Sequence, residues 1–441
     1  MMSVQYQAAG RNAKEISDSF ESGIRGGDLA PDELLPSVRV LAGQLDVAPG
    51  TVAGAYRLLR DRGLIEARGR NGTRVRSRPP LAARSSSLPI GPDVVDLAGG
   101  QPDPGLLPVL SALPGLAKGP AGAPPLLVLA ELLALGRDRI ADDGVPAEEI
   151  TLASGGLDAI GRVLSARVRP GDMVAVEDPG WPNALDLVVA LGLRPHPVAL
   201  DAEGPRPESL RAALRAGARA VIITNRAQNP TGVFLTRRRA GELRNVLAGH
   251  PQTVVIEDDH AAELAGVELA SLAGATNSWA FIRSTSKPYG PDLRVALIAG
   301  DEATIARVEG RMRVGSGWIS TLLQRLVLEL WTSSHAASVV AKAAGTYDAR
   351  RHHLTSELAA RGITSSGDTG LNVWVPVADE TATVTSLLRA RWAVAPGARF
   401  RQTSQPGVRI TVSGLTTSTI PKLADDVATA LAITPSTHYT T

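Results

Sequence analysis

The 441-residue chain contains no cysteine, which excludes disulfide stapling, zinc ribbons, iron–sulfur clusters and thiolate catalysis. Its seven histidines show no HExxH-type pairing, so no metal site is expected. No apolar run approaches the ~20 residues of a membrane-spanning helix; the longest, Pro124 to Gly136, is interrupted by Glu131. The start, MMSVQYQAAGRNAKE, lacks the charged-then-apolar order of a secretion signal, and the expected location is the cytoplasm, with no membrane partner. Lysine is also scarce, with five among 46 basic residues, at 14, 118, 287, 342 and 422. That scarcity makes each lysine worth inspecting.

What is present is ordinary globular composition, 44% apolar and 20% charged, over a length that implies more than one folding unit. The formal charge of +2 is uneven: residues 1–80 hold 12 Lys+Arg against 9 Asp+Glu, and residues 57–78 hold eight arginines against Asp61 and Glu66 alone. A local basic block of this kind suits an anionic polymer. Residues 77–95 mix Pro, Ser and Arg without a helical or strand period and are expected to form a linker. Beyond it, short apolar stretches (Met173–Val176, Ala220–Thr224, Thr253–Ile256, Trp279–Ile282) alternate with amphipathic ones (Leu157–Val168, Pro207–Ala216, Arg237–Leu247). This alternation predicts a mostly parallel sheet covered by helices. Helices at Tyr347–Arg361 and Thr383–Arg391 and strands at Leu371–Val375 and Val408–Val412 suggest a smaller α+β part after it. The expected division is 1–76, a linker at 77–95, and 96–435, the last split near 340 into a large and a small part.

Ahead of the linker, Ile16–Arg25, Pro36–Leu45 and Thr51–Gly63 read as three helices, the last two joined by the short turn Asp46–Gly50. A basic hairpin follows, Leu64–Glu66 and Thr73–Arg76 around Arg70–Asn71–Gly72. Such an order predicts a winged helix-turn-helix, with the second helix of the pair in the major groove and wing arginines on phosphates. The stretch LLPSVRVLAGQLDVAPGTVAGAYRLLRDRGLIEARGRNGTRV resembles the GntR-type winged helix. The resemblance implies double-stranded DNA as partner, met by Arg39, Thr51, Arg68, Arg70, Asn71 and Thr73. Pro49 and Gly50 stand where most relatives carry arginine at the start of the recognition helix.

Lys287 follows the apolar strand WAFI within Ser284-Thr285-Ser286-Lys287, with Arg294 seven residues on. A lysine flanked by hydroxyls suits a Schiff base to an aldehyde cofactor that bears a phosphate, although a lone lysine is usually a solvated surface residue. Four further stretches occur in order. Ser154-Gly155-Gly156-Leu157 joins a strand to a helix and can cradle phosphate or serve close packing. Glu177-Asp178-Pro179-Gly180-Trp181 offers an indole face for stacking, or plain core. Gln228-Asn229-Pro230-Thr231-Gly232 is a polar donor site or a simple turn. Glu257-Asp258-Asp259-His260 closes a strand, where a carboxylate can hold a pyridine nitrogen protonated or merely be solvated.

Taken together these stretches resemble fold-type I pyridoxal-phosphate aminotransferases over about 95–435. The resemblance implies pyridoxal 5'-phosphate bound to Lys287, with Asp258 on the ring nitrogen, Asn229 and His260 on the ring oxygen, and Trp181 stacked on the ring. It places Gly155, Gly156, Ser284, Ser286 and Arg294 around the phosphate, and Arg409, in GVRITVSGL, on an amino acid's α-carboxylate. Two departures stand out: His260 where tyrosine is usual, and KGPAGAPPLL around 118–127 where a YGxPxG segment is expected. The two modules in this order resemble the MocR branch of GntR regulators, and RAQNPTG, EDDHA and STSKPYGPDLR resemble its PtsJ-like group. That resemblance implies a homodimeric regulator sensing a small amine, an amino acid or the cofactor itself. An active aminotransferase with a vestigial DNA-binding segment is the alternative, with slow turnover at most expected.

Overall fold

In the computed structural model the described residues are 6–26, 28–30, 32–61, 64–67, 72–75, 91, 93–109 and 128–432. Residues up to 84 belong to one compact unit and most of those from 85 onward to a second; the two are taken in turn.

The N-terminal unit contains α1 (Ala13–Gly26), α2 (Val38–Leu45), α3 (Pro49–Asp61) and a hairpin of β1 (Ile65–Ala67) and β2 (Thr73–Val75). Each start and stop has a local cause. The Ser37 hydroxyl accepts from Val40 N–H to cap α2, Asp46 takes left-handed geometry to end it, and Pro49 opens α3, where a missing N–H costs nothing. Ile16, Phe20, Leu41, Val52, Tyr56, Leu59, Ile65 and Val75 form one buried core. Tyr56 closes it by donating to Pro36 O at 2.7 Å, its ring edge-on to Phe20. The hairpin pairs Glu66 with Arg74 and Ala67 with Thr73. The expected three helices and hairpin are thus present, while the wing tip with Arg68, Arg70 and Asn71 lies outside the described residues. Most of the expected linker and the 118–127 segment with Lys118 lie outside them too.

The larger unit begins with β3 (Val95–Leu97), followed by α4 (Ala130–Asp142), β4 (Ile150–Ala153), α5 (Gly156–Arg167), β5 (Met173–Asp178), α6 (Pro182–Ala190), β6 (Arg194–Asp201) and β7 (Gly204–Pro205). Then come α7 (Pro207–Arg215), β8 (Ala218–Thr224), α8 (Arg237–Ala248), β9 (Val254–Asp259), β10 (Ser278–Ser284), the four-residue α9 (Ser286–Tyr289) and β11 (Ala296–Gly300). Eight strands form one sheet in the order β4-β11-β10-β9-β8-β5-β6-β7. Strands β5, β8, β9 and β10 run parallel, and β11 is antiparallel to β10 and β4. The mainly parallel sheet matches the sequence alternation, and β9 and β10 are buried along their whole length, as helices on both faces require.

Helices α10 (Glu302–Val314), α11 (Thr321–Thr332) and α12 (Ser334–Ala360) lead to the smaller part, β12 (Asn372–Pro376), α13 (Glu380–Arg389), β13 (Trp392–Pro396), β14 (Gly407–Thr411) and α14 (Ile420–Ala432). Its sheet runs β12-β14-β13-β3. Leu354, Leu358, Leu387, Leu423 and Val427 cover it. β3 pairs with β13, Val95 opposite Trp392, so the first strand of the unit completes the sheet built by its last residues. α12 starts 13 residues before the helix expected at Tyr347. Ser333 caps it through Ala336 N–H, and the Ala-rich stretch that follows has too little polar contrast to announce a helix face. Among the described residues no helix is long and apolar enough to cross a membrane.

Candidate functional site

In open α/β sheets the strand C-termini gather binding loops, and here five strand ends converge. The loops after β4, β5, β8, β9 and β10 carry Gly156, Trp181, Asn229, His260 and Lys287, and Asp258 sits within the end of β9. All six line one cavity of about 430 Å³ together with Ser284, Ser286, Arg294 and Arg409. Ten residues singled out from sequence, separated by up to 253 positions, therefore share one space. Gly155 adjoins it: a Cβ there would stand 2.8 Å from an Arg294 nitrogen, and its φ of +90° suits glycine.

The strand EDDH illustrates how alternation separates neighbouring acids. Glu257 accepts from Asn225 Nδ2 (2.5 Å), the Ser271 hydroxyl and Leu272 N–H (both 2.7 Å). Asp259 is held between Arg226 (2.9 and 2.6 Å) and Arg283 (2.7 Å), which keep it below the usual carboxylate range against its burial. Asp258, between them, turns to the cavity. Its Oδ2 lies 3.3 Å from His260 Nδ1, and its Oδ1 is buried with no partner among the described residues. Behind it Glu177 accepts from Thr224 N–H and hydroxyl (both 2.9 Å) and Gln228 Nε2 (3.2 Å). Burial, helped by the Asp258 charge, pushes Glu177 up to about 7.

Lys287, on α9, donates to Gly100 O (2.6 Å) and Gln101 Oε1 (3.1 Å). Burial and the Arg409 charge push its amine down to about 8, opposed by Asp258. Its loop is tied down on both sides: Ser284 Oγ accepts from Ser286 N–H, and Ser286 Oγ donates to Leu293 O. At the α5 N-terminus, Gly155 caps without a side-chain bond, Asp158 accepts from Ser154 N–H (2.8 Å), and Arg294 donates to Ser154 O (3.0 Å). Free N–H groups there and a guanidinium beside them form an anion cradle.

Arg409, on β14, donates to Asn229 Oδ1 (3.0 Å) and to Ala98 O, and lies 4.9 Å over the Phe400 ring. Burial and the neighbouring Arg399 both act against its charge. Half-buried Trp181 follows the Asp178 turn. Asp178 accepts from the N–H groups of Gln402, Thr403 and Ser404 and from two of their hydroxyls, at 2.7–2.9 Å, anchoring the 400–404 loop beside the cavity.

Sequence reading passed over Gly100, Gln101, Glu177 and Arg399. Gly100 and Gln101 had a signal, the Gly-Gly turn in DLAGGQPDPG after an apolar strand. Arg399 had none, being one arginine among 41. In the N-terminal unit Arg39 is exposed on α2, and Thr51 and Thr73 are half-buried, on the first turn of α3 and on β2. Arg57 and Arg60 lie exposed along α3, whereas Arg74 is committed to Asp32 O at 2.7 Å.

Comparison with known proteins agrees with both units. Residues 12–75 match the family model for bacterial regulatory proteins of the gntR family, and residues 128–427 match aminotransferase class I and II. The vitamin B6 salvage pathway transcriptional repressor PtsJ of Salmonella typhimurium is 42% identical, over 96% of this chain and 99% of that protein. The HTH-type transcriptional regulator TauR of Rhodobacter capsulatus is 26% identical over 93% and 94%. In structure, an archaeal alanine:glyoxylate aminotransferase superposes with a TM-score of 0.71 at 21% identity, covering 78% of this chain and 91% of its own. The kynurenine aminotransferase of Pyrococcus horikoshii does so with 0.69 at 19%, covering 77% and 91%. These likenesses show the fold of the larger unit as that of fold-type I aminotransferases. The chain is a member of the GntR family of bacterial transcriptional regulators, with a winged helix-turn-helix fused to an aminotransferase-like domain.

Proposed function

We propose that this regulator binds pyridoxal 5'-phosphate covalently through Lys287 and that the occupied cavity, on receiving a small amine, an amino acid or more cofactor, alters DNA binding by a cytoplasmic homodimer. The DNA-binding domain is 1–76, the linker 77–95 and the sensing domain 96–435. One observation carries the reading: a buried carboxylate oxygen, Asp258 Oδ1, without a partner among the described residues, in a cavity that also presents Lys287, Arg294, Arg399 and Arg409. A buried acceptor without a donor costs free energy, and a protonated ring nitrogen supplies the missing donor.

The residues fit the cofactor. Gly155, Gly156, Ser284, Ser286 and Arg294 hold its phosphate, Trp181 covers the ring, and Asn229 and His260 serve the ring oxygen. Bound pyridoxal phosphate supplies an aldehyde for primary amines and an electron-withdrawing ring. Lys287, its pKa lowered to about 8, holds a far larger neutral fraction near physiological pH than an ordinary lysine. Arg409 receives a carboxylate through its paired N–H groups. An amine whose carboxylate Arg409 holds would sit beside the Lys287 amine, and a resulting change in contacts between the large and small parts would bias the DNA-binding state. Arg39 and Thr51, with the wing residues Arg68, Arg70, Asn71 and Thr73, contact DNA. The name of the Salmonella relative favours a role in vitamin B6 supply, with the cofactor as signal. Likeness to aminotransferases is a likeness of fold and does not require turnover.

The test combines spectroscopy with DNA binding. Purified protein incubated with pyridoxal phosphate is expected to absorb in the visible and, after borohydride reduction, to carry the label on Lys287. Apo and loaded protein, with and without amino acids, are then compared for affinity to selected operator DNA. No label on Lys287, or identical DNA affinity in every state, refutes the proposal.

A further inference from the structure

Buried guanidinium groups in this chain generally have a carboxylate. Arg226 and Arg283 share Asp259 and Asp143, Arg239 pairs with Asp201, Glu203 and Glu242, and Arg351 with Asp348. The cavity is the exception. Arg294, Arg399 and Arg409 line it, and among the described residues none forms an ion pair. Arg294 is held by a backbone carbonyl, and Arg409 by Asn229 and another carbonyl. The acid that acts on Arg409, Asp96, is already engaged by the N–H groups of Ala98 and Gly99. Arg399 makes no hydrogen bond to any described residue, and its Nε is buried without a partner.

Arg409 is buried and Arg399 half-buried, whereas Arg294 reaches solvent; an unpaired interior charge is costly, so Arg409 and Arg399 in particular mark places for anions. The cofactor's phosphate accounts for Arg294, and an α-carboxylate for Arg409. Arg399 is left over. Its position is built rather than incidental: it ends a short turn, Gly397–Arg399, that Glu380 braces by accepting from Ala398 N–H (2.6 Å) and Gly407 N–H (3.2 Å). Phe400, the next residue, packs under Arg409.

We infer that Arg399 anchors a second anionic group, so that the effector of this cavity is an amino compound with two acidic groups, the α-carboxylate on Arg409 and a side-chain carboxylate or phosphate on Arg399. The inference rests on the sensing role proposed above and makes Arg399 a specificity-determining residue.

The experiment titrates the full-length loaded protein with L-alanine, L-glutamine, L-aspartate, L-glutamate and O-phospho-L-serine, following visible absorbance. Wild type is expected to bind at least one of the last three at least ten-fold more tightly than alanine or glutamine. Arg399→Ala is expected to abolish that preference, and Arg399→Lys to restore part of it. Both variants are expected to fold, with a melting temperature no lower than wild type's, because Arg399 has no described partner to orphan, and each is compared with its own unliganded spectrum. Preference for glutamate and aspartate names the carboxylate, and preference for phosphoserine names the phosphate. If Arg399→Ala weakens alanine and glutamate equally, Arg399 merely shares the α-carboxylate and the inference falls alone. It also falls alone if wild type shows no preference. If no amino compound alters the spectrum of protein labelled on Lys287, amine sensing and this inference fall together.

Discussion

Both units expose arginine to an anion, but in opposite surroundings. On α2 and α3, Arg39, Arg57 and Arg60 stand in solvent; at the cavity, Arg409 is buried and Arg399 half-buried, and only Arg294 reaches solvent. Solvent and salt screen the first group, and the second group works in a medium where one misplaced charge is felt strongly. The N-terminal unit is therefore suited to reversible, salt-tuned binding, and the larger one to discrimination between small ligands.

The sharpest test of this contrast is Lys287→Ala, which should remove all borohydride-trapped cofactor while leaving DNA binding by the apo protein intact; concurrent loss of both would mean that the units do not act separately. Next in size, Arg39→Ala should cost on the order of 1–3 kcal/mol in operator binding if the guanidinium reads a base. Fluorescence anisotropy across a salt series checks it, and cofactor affinity should not change. Asp258→Asn should weaken cofactor retention by about 1.5–3 kcal/mol, the worth of a hydrogen bond to a charged partner, measured by equilibrium dialysis.

A pH series separates the cavity lysine from an ordinary one. Because burial lowers Lys287 to about 8, its protonated form predominates below that value and its reactive neutral form above it. The rate of cofactor attachment to apo protein should climb from pH 6 to about 8 and then level off. A rate still climbing in proportion to hydroxide at pH 10 would indicate an unperturbed lysine. The smallest effect is expected at Tyr56→Phe, which strands Pro36 O and should lower the stability of the N-terminal unit by about 0.5–1.5 kcal/mol, read from its thermal melting.

Much of this was legible in the chain because it is local. The winged-helix stretch is contiguous, and each cofactor motif is a strand end followed by its own loop, so residue types and spacing expose it without knowledge of the fold. Arg409 was legible through the strand GVRITV around it. Gly100 and Gln101 reach Lys287 from 187 and 186 positions away, and Arg399 enters the cavity through the turn between β13 and β14. Their roles depend on tertiary placement, which periodicity does not record. Glu177 was quoted within its motif, yet its raised pKa comes from its neighbours Thr224, Gln228 and Asp258, none of them close in sequence.

Two glycines bear on how the cavity's arginines are inherited. A Cβ at Gly100 would come within 2.9 Å of Arg409, and one at Gly155 within 2.8 Å of Arg294, both from backbones with positive φ. Neither arginine can keep its place if the facing glycine gains a methyl group. Each couple is thus linked in descent: a lineage that keeps the arginine in place holds the glycine fixed, and one that loses it is relieved of the clash while the positive φ still disfavours a side chain.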